Sequence, residues 1–318
     1  MSLDFGKVTN LKSEKERNYP KVIDLTGTHT ISGYIDKEVT SIDPEVKKAI
    51  KSCSLHKVKN KEQYQTYLQI NPNKLKGKQK LITSYSEYEE ALKRILKGVG
   101  AELKDFRLSR ADMCFNSTDP NCYEDYKKLH RLLICCIAET YSFKNVYQSY
   151  DLWTYKSLSV AIKNDNLEAE NYDKECENPD DESKNRLEIR TKKIDAESDL
   201  KHEFLELWCH RLEEAIKNFE AVMQHQNMEL ERLYKEDLAK DKKDRDYLNL
   251  TAFLLQYKEC IYNSSQMVDL LSRFDEVENP KVKAENFKKA HHIEYFSMTD
   301  LRKIVRHLKR KMKGYFNS

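Results

Sequence analysis

Residues 107–115 have the sequence RLSRADMCF, and this pattern decides the fold. Side chains on a β-strand point alternately to the two faces of a sheet. The odd positions from 111 onward are apolar, whereas the even positions are Arg110, Asp112 and Cys114. The pattern therefore predicts a strand at 106–116 with one face in a hydrophobic core and a second face that is polar.

Two later stretches show the same alternation. The stretches 185–190 (NRLEIR) and 167–174 (LEAENYDK) place polar side chains at every second position. If the three strands are neighbours, one sheet face collects Arg110, Asp112, Glu168, Glu170, Tyr172, Lys174, Glu188 and Arg190. Carboxylates so close together repel one another unless a divalent metal or interleaved arginines neutralise them. Antiparallel sheets also commonly keep one solvated face, on which Arg–Glu cross-strand pairs account for such residues. Both explanations stay open.

The order of helical and strand patterns predicts an α+β fold. Helical spacing at 44–51, 86–97 and 123–138 alternates with strand patterns, and three strands at 157–163, 167–175 and 185–192 follow. After Lys193 only helical spacing remains. We expect a mostly antiparallel sheet with helices on one face, followed by an all-helical C-terminal region. The predicted parts are a flexible N-terminus at 1–20, a sheet domain at 21–195 and a helical domain at 196–318.

Composition excludes several classes of protein. Of the 318 residues, 39% are hydrophobic and 34% charged, and no apolar run approaches the ~18 residues of a membrane span. The seven glycines form no phosphate-binding loop, and the eight cysteines form no CxxC pair of a zinc site. The N-terminus lacks the apolar segment of a signal peptide. We therefore expect a cytoplasmic protein without membrane contact.

Four short motifs in the first 195 residues resemble conserved stretches of one protein family. Residues 70–75 (INPNKL) are similar to the INPxKL stretch of phage and plasmid initiators, and 108–112 (LSRAD) to their TRxD strand. Residues 171–177 (NYDKECE) are similar to their YDKxxE segment, and 185–190 to their RxEIR strand. The motifs follow the family's order over roughly residues 22–195. The sequence thus resembles the initiators of rolling-circle plasmids and filamentous phages, and the related relaxases of conjugative elements.

The resemblance implies metal-dependent DNA nicking and strand transfer at a plasmid or phage origin. In that chemistry a tyrosine attacks a backbone phosphate and stays linked to the 5′ end, while Mg²⁺ or Mn²⁺ stabilises the developing charge. By matching position, Asp112 and Glu188 are the expected metal ligands, with Glu170 as a third. The expected catalytic side chains are Tyr172, Arg190 and Lys174.

One feature of the family is missing. The nucleophilic tyrosine of plasmid initiators follows the EIR strand by several residues, but 191–200 contain no tyrosine and the next is Tyr234. The nucleophile would have to be Tyr172 or a helix residue such as Tyr234. Three functions stay open: a nicking enzyme, a replication protein that binds DNA without nicking it, and an unrelated helical adaptor. For the first two we expect DNA as the partner, at an origin or single-stranded, with a host helicase and a second copy of the chain.

The C-terminal segment is strongly basic. The net charge of the chain is only +3, yet its last 22 residues hold seven Lys or Arg against one Asp. Helical spacing over 298–314 predicts an apolar stripe of Leu301, Ile304, Val305, Leu308 and Met312. The same spacing places Arg306, Lys309 and Arg310 on the outer face, and we predict that they contact phosphates near the carboxylate face. Arg110 is predicted to contact DNA on the sheet. The alternative is a solvated helix whose cations suit the negative end of its dipole.

Overall fold

A computed structural model describes residues 22–24, 29–35, 42–59, 61–75, 82–102, 106–117, 122–150, 157–165, 167–173, 176, 185–191 and 200–318. The predicted flexible segment 1–20 and Lys174 lie outside the described residues. The strands are β1 (Val22–Asp24), β2 (His29–Ile35), β3 (Ile50–Lys57), β4 (Tyr64–Ile70), β5 (Phe106–Ser117), β6 (Val146–Tyr150), β7 (Ser157–Lys163), β8 (Leu167–Asp173) and β9 (Asn185–Thr191). The helices are α1 (Pro44–Ala49), α2 (Tyr85–Gly98), α3 (Cys122–Ile137), α4 (Leu200–Leu238), α5 (Leu250–Gln256), α6 (Ser264–Leu271), α7 (Pro280–Ala290) and α8 (Met298–Asn317).

The strands form one sheet in the order β3-β4-β2-β5-β9-β8-β7-β6, and every pairing between them is antiparallel. The long strand β5 pairs along one edge with β2 and then β1, and along its other edge with β9. The register of β2 on β5 shifts between Thr30 and Ile31, which leaves Ser109 as an extra residue on β5. This bulge keeps Arg107 and Arg110 on the same face of the sheet.

In the described residues, the helices that contact the sheet pack on one of its faces. Helix α3 packs on β7, β8 and β9, and α8 packs on β1, α2 and α4. The apolar residues of these helices share one buried core with the inward residues of the strands, among them Phe115, Leu187 and Ile189. The predicted fold class is therefore confirmed: an α+β sheet with helices on one face, followed by a helical region. The strand β6 and the helix α7 are not predicted from the sequence, although the N-cap Asn279 and the Pro280 that follows it are a helix-start signal.

Helix α4 links two cores. Sequence periodicity divides this region into two helical patterns, but 200–238 contain no Gly or Pro and form one helix of 39 residues. Its first half, with Trp208 and Phe219, packs into the sheet core together with α8. Its second half, from Leu230, builds a separate core with α5, α6 and α7. In the described part of the chain no strand follows residue 200, and no helix is long and apolar enough to cross a membrane.

The second core is held to α4 by a buried amide network. Asn227 is 1% exposed, and its side-chain nitrogen donates to the Gln266 carbonyl at 2.9 Å and to the Asp269 carboxylate at 2.8 Å. The amide of Gln266 donates back to Asn227 at 3.3 Å and to the Cys260 carbonyl at 2.9 Å. The sequence does not predict this contact, because Asn227 and Gln266 are far apart in the chain and no local pattern relates them.

Changing Asn227 to Ala should lower the free energy of unfolding by about 1–3 kcal/mol, because it leaves buried polar partners without their hydrogen bonds. Urea denaturation followed by circular dichroism measures this. The control is Asn286→Ala on the exposed side of α7, which should change stability by less than about 0.5 kcal/mol. Equal effects of the two substitutions would contradict the role given to Asn227.

Candidate functional site

The uncovered face of the sheet gathers the charged residues that the sequence singled out. On β9, Arg190 lies opposite Asp112 of β5 and opposite Glu168 of β8. One pair further along, Glu188 lies opposite Glu170. Asp112 and Glu188 therefore share one face, as strand alternation predicts. Antiparallel pairing brings these side chains to within reach of one another.

Arg190 is the centre of this face. Its Nε donates to Glu188 at 2.9 Å, and its two terminal nitrogens donate to Glu168 at 2.6 Å and to Glu170 at 3.3 Å. The guanidinium is 20% exposed, and Glu188 is only 8% exposed. One cation thus bonds three carboxylates. The planar guanidinium of arginine, with its five donors, can make these bonds, whereas the ammonium group of lysine lacks this geometry.

The pKa values of the cluster show how burial and Arg190 compete. Burial raises the pKa of Glu188, but the hydrogen bond and charge of Arg190 outweigh it, so the net pKa is lowered. Burial also raises the pKa of Glu170, and here the attraction of Arg190 does not compensate, so the net pKa is raised. Burial alone would lower the pKa of Arg190, but its bond to Glu188 and the three carboxylates raise it. Of Glu170 and Glu188, it is therefore Glu188 whose ionised form is favoured.

The neighbouring groups are paired as well. Arg110 donates from Nε and a terminal nitrogen to the two oxygens of Asp112, both at 3.0 Å, and Asp112 is 1% exposed. The hydroxyl of Tyr172 donates to the second oxygen of Glu188 at 3.2 Å. Arg186 donates to the side-chain oxygen of Asn116 at 2.7 Å. Asp112, Glu168, Glu170 and Glu188 therefore each accept hydrogen bonds from an arginine.

This arrangement does not fit a metal site as it stands. No group of three or more His, Cys, Asp or Glu side chains in the described residues is placed to hold a metal ion. The predicted ligands Asp112, Glu170 and Glu188 each accept hydrogen bonds from a guanidinium, so a divalent ion would have to displace Arg110 or Arg190. Of the two explanations that the sequence left open, the geometry favours interleaved arginines.

Tyr234, the other candidate nucleophile, is buried in the second core. It is 3% exposed and donates its hydroxyl to Glu276 at 2.8 Å. Burial and this hydrogen bond both raise its pKa. Tyr234 and Glu276 both line an open pocket of the helical region. Tyr172 is the better placed of the two tyrosines for the predicted chemistry, because its hydroxyl lies beside Glu188 on the sheet face.

The basic helix α8 lies on the other side of the sheet. Its predicted apolar stripe is confirmed, since Leu301, Ile304, Val305, Leu308 and Met312 are all buried in the sheet core. Arg306 and Arg310 are exposed on the outer side. Lys309, predicted to be on the outer side, is instead half-buried at the flank of the helix and pairs with Glu213 of α4. Because α8 packs under the apolar face, its cations face away from the carboxylates rather than towards them.

The same open face continues beyond β5 onto β2, β4 and β3. Exposed aromatic rings lie there, those of Tyr34 and Tyr67, which the sequence reasoning missed. Inward Thr66, Leu68 and Ile70 give β4 a clear alternation, and this signal places Tyr67 on the outer face.

No protein-family model, curated protein or solved structure matches this chain. The site therefore has to be interpreted from its own geometry.

Replacing Arg190 with Ala should destabilise the protein by about 3 kcal/mol at neutral pH, the lower end for breaking a buried ion pair, since Arg190 is partly exposed. Without Arg190, burial raises the pKa of both Glu170 and Glu188. A raised folded-state pKa gives stability at low pH that is lost as pH rises through it, so the penalty should shrink on acidification. Urea denaturation at neutral and acidic pH measures this. The double variant with Glu170→Gln should recover part of the loss at neutral pH, and a penalty independent of pH would contradict the electrostatic account.

Proposed function

We propose that this chain is a DNA replication initiation protein that acts by binding DNA. The observation that carries the proposal is the set of arginine–carboxylate bonds on the open sheet face. Four carboxylates on a contact face would repel a polyanion, and this repulsion is the main physical objection to a pure DNA-binding protein. The bonds from Arg190 and Arg110 remove that objection.

Cations accompany the acids on this face. The carboxylates of Asp112, Glu168, Glu170 and Glu188 share it with the guanidinium groups of Arg107, Arg110, Arg186 and Arg190, and Lys163 pairs with Glu168 at 3.9 Å. Each acid is bonded within the protein, so a phosphate backbone would meet a face without excess negative charge. Antiparallel sheets with such faces offer hydrogen-bond donors to sugar and phosphate oxygens.

Helix α8 supports the same proposal from the opposite side of the molecule. Arg306 and Arg310 are exposed and form no ion pair with any residue that the structure describes, although Arg310 contacts His307 at 3.2 Å. Arg302 and Lys309, by contrast, pair with Glu220 and Glu213 of α4. Arg306 and Arg310 are therefore available to a duplex, whereas the charges of Arg302 and Lys309 are already engaged.

Metal-dependent nicking is a second candidate, favoured by one contact. The hydroxyl of Tyr172 donates to Glu188, so a tyrosine and a carboxylate base stand at hydrogen-bond distance on an open face. Glu188 would accept the tyrosine proton, and Arg190 would hold that carboxylate in place. Against it stands the bonding of the proposed metal ligands to arginines.

Changing Arg306 and Arg310 together to Ala should weaken binding to duplex DNA of every sequence and flatten the log–log salt dependence by about two units, roughly 0.9 per lost phosphate contact. The fold should survive because the buried stripe is unchanged. Fluorescence anisotropy over a salt series measures the slope. Lys309→Ala is the matched control, and it should leave the slope unchanged because Glu213 already engages this charge. Equal slopes for the double variant and the wild type would remove α8 from the DNA contact.

A nicking activity should give a covalent adduct between the chain and the 5′ end of a single-stranded or supercoiled origin substrate with Mn²⁺, detected as a shifted band after denaturation. The proposal of binding without nicking expects no adduct from the wild type. If an adduct forms and Tyr172→Phe abolishes it while Tyr234→Phe does not, the second candidate is correct.

The melting temperature tests metal binding separately. If the carboxylates bind Mn²⁺, the melting temperature in Mn²⁺ should exceed that in EDTA, and equal values would exclude binding of the ion.

A further inference from the structure

The strands β2, β3 and β4 present aromatic rings to solvent on the open face. Tyr34 is 53% exposed and Tyr67 is 39% exposed. Ser32 lies opposite Tyr67 and Tyr34 lies opposite Gln65, so the two tyrosines occupy neighbouring strands of one face. Such diagonal neighbours stand about 7–8 Å apart. His56 of β3 adds a third exposed ring, with its centroid 6.3 Å from that of Tyr67 and an interplanar angle of 69°.

Tyr67 is held in its exposed position. The side-chain amide of Gln65 donates to the Tyr67 hydroxyl at 2.7 Å. This bond holds the ring at its hydroxyl end, while 39% of the residue stays exposed. A ring that is held in place before binding loses little conformational freedom when a flat partner stacks on it.

The chain around these rings is basic. Residues 50–80 contain a single acidic residue, Glu62, against eight lysines: Lys51, Lys57, Lys59, Lys61, Lys74, Lys76, Lys78 and Lys80. The first five of these lie in described parts of the chain and are exposed. The outward residues of the three strands are otherwise neutral, namely Thr30, Ser32, Gln65, Gln69, Ser52 and Ser54. Lys59 and Lys61 lie in the connection between β3 and β4, beside this face, whereas Lys57 lies opposite Tyr64 on the inward side. The charge at this end of the sheet is the complement of a phosphate backbone, and it contrasts with the carboxylate-rich half of the open face.

We propose that β2, β3 and β4 form a stacking surface for unpaired DNA, on which bases lie against Tyr67, Tyr34 and His56 while the lysines contact the phosphates. This inference rests on the proposed function and specifies it: α8 contacts duplex and the open sheet face holds the single strand. Aromatic rings within a positively charged surface are the means by which proteins bind single strands without reading their sequence. A duplex would not fit this role, because its bases are already stacked and paired.

The test measures the affinity of the full chain for a labelled oligo-dT strand and for a labelled duplex by fluorescence anisotropy. Tyr67→Ala and Tyr34→Ala should each raise the Kd for oligo-dT about 5- to 150-fold, the range that loss of one base–aromatic stack gives. Tyr67→Phe keeps the ring but loses the hydrogen bond from Gln65, so it should raise the Kd much less than Tyr67→Ala does. Binding of the duplex should be unchanged in all of these variants.

Tyr147→Ala is the matched control. Tyr147 is 65% exposed and lies opposite Ala161 on β7, at the far edge of the same face and beside the carboxylates. Its loss should leave oligo-dT binding unchanged. If Tyr34→Ala and Tyr67→Ala behave as this control does, the stacking surface is wrong while duplex binding can still support the proposed function.

The remaining outcomes separate the two proposals. Tyrosine-dependent binding of oligo-dT without any duplex binding would support the stacking surface and overturn the proposed role of α8 at an origin. Tighter tyrosine-dependent binding of oligo-rU than of oligo-dT would overturn the assignment to DNA. Loss of self-association, rather than of oligo-dT binding, in Tyr67→Ala would mark this edge of the sheet as a contact between copies of the chain.

Discussion

The bonds from Arg190 to three carboxylates are the interaction on which the open face of the sheet depends. Antiparallel pairing of β8 with β9 forces Glu168, Glu170 and Glu188 into one small area, and their mutual repulsion must be offset for the strands to pair. A single guanidinium with five donors offsets it and also fixes the position of each carboxylate. The same bonds decide the chemistry, since a carboxylate that accepts from arginine is less available to a metal ion.

The sheet divides the molecule into two surfaces with different charge. Under its apolar face, α3, the first half of α4 and α8 share one core, and the cations of α8 point outward from there. On its open face, acids bonded to arginines lie towards β8 and β9, and aromatic rings lie towards β3 and β4, with Lys59 and Lys61 in the connection between those two strands. The proposed function calls for contact with a duplex and with an opened strand, and two separate surfaces suit those two forms of DNA.

The alternation of side chains along each strand is the part of the site that sequence reasoning reached. Asp112 and Glu188 fall on one face because side chains in a strand repeat every second residue, and this holds whatever the neighbours are. The outer position of Lys309 was wrong for a related reason. Helical spacing assigns a side chain to the flank of α8, but only packing against α4 shows that Glu213 lies there. The strand β6 was not predicted because its five residues are too few to show a clear alternation, and it is defined by its pairing with β7.

The sequence by itself determined the fold class, the polar face and the buried stripe of α8, because each of these follows from local periodicity and from the need to bury apolar side chains. Only the tertiary structure decided which carboxylate pairs with which arginine. The three partners of Arg190 come from two strands that are separated in the sequence, and the register that joins them is set by the whole sheet. The exposure of Tyr34 and Tyr67 is likewise a tertiary property, since strand alternation assigns a ring to a face but not whether a helix covers that face. Local patterns therefore place side chains on surfaces, and long-range packing decides what those surfaces can bind.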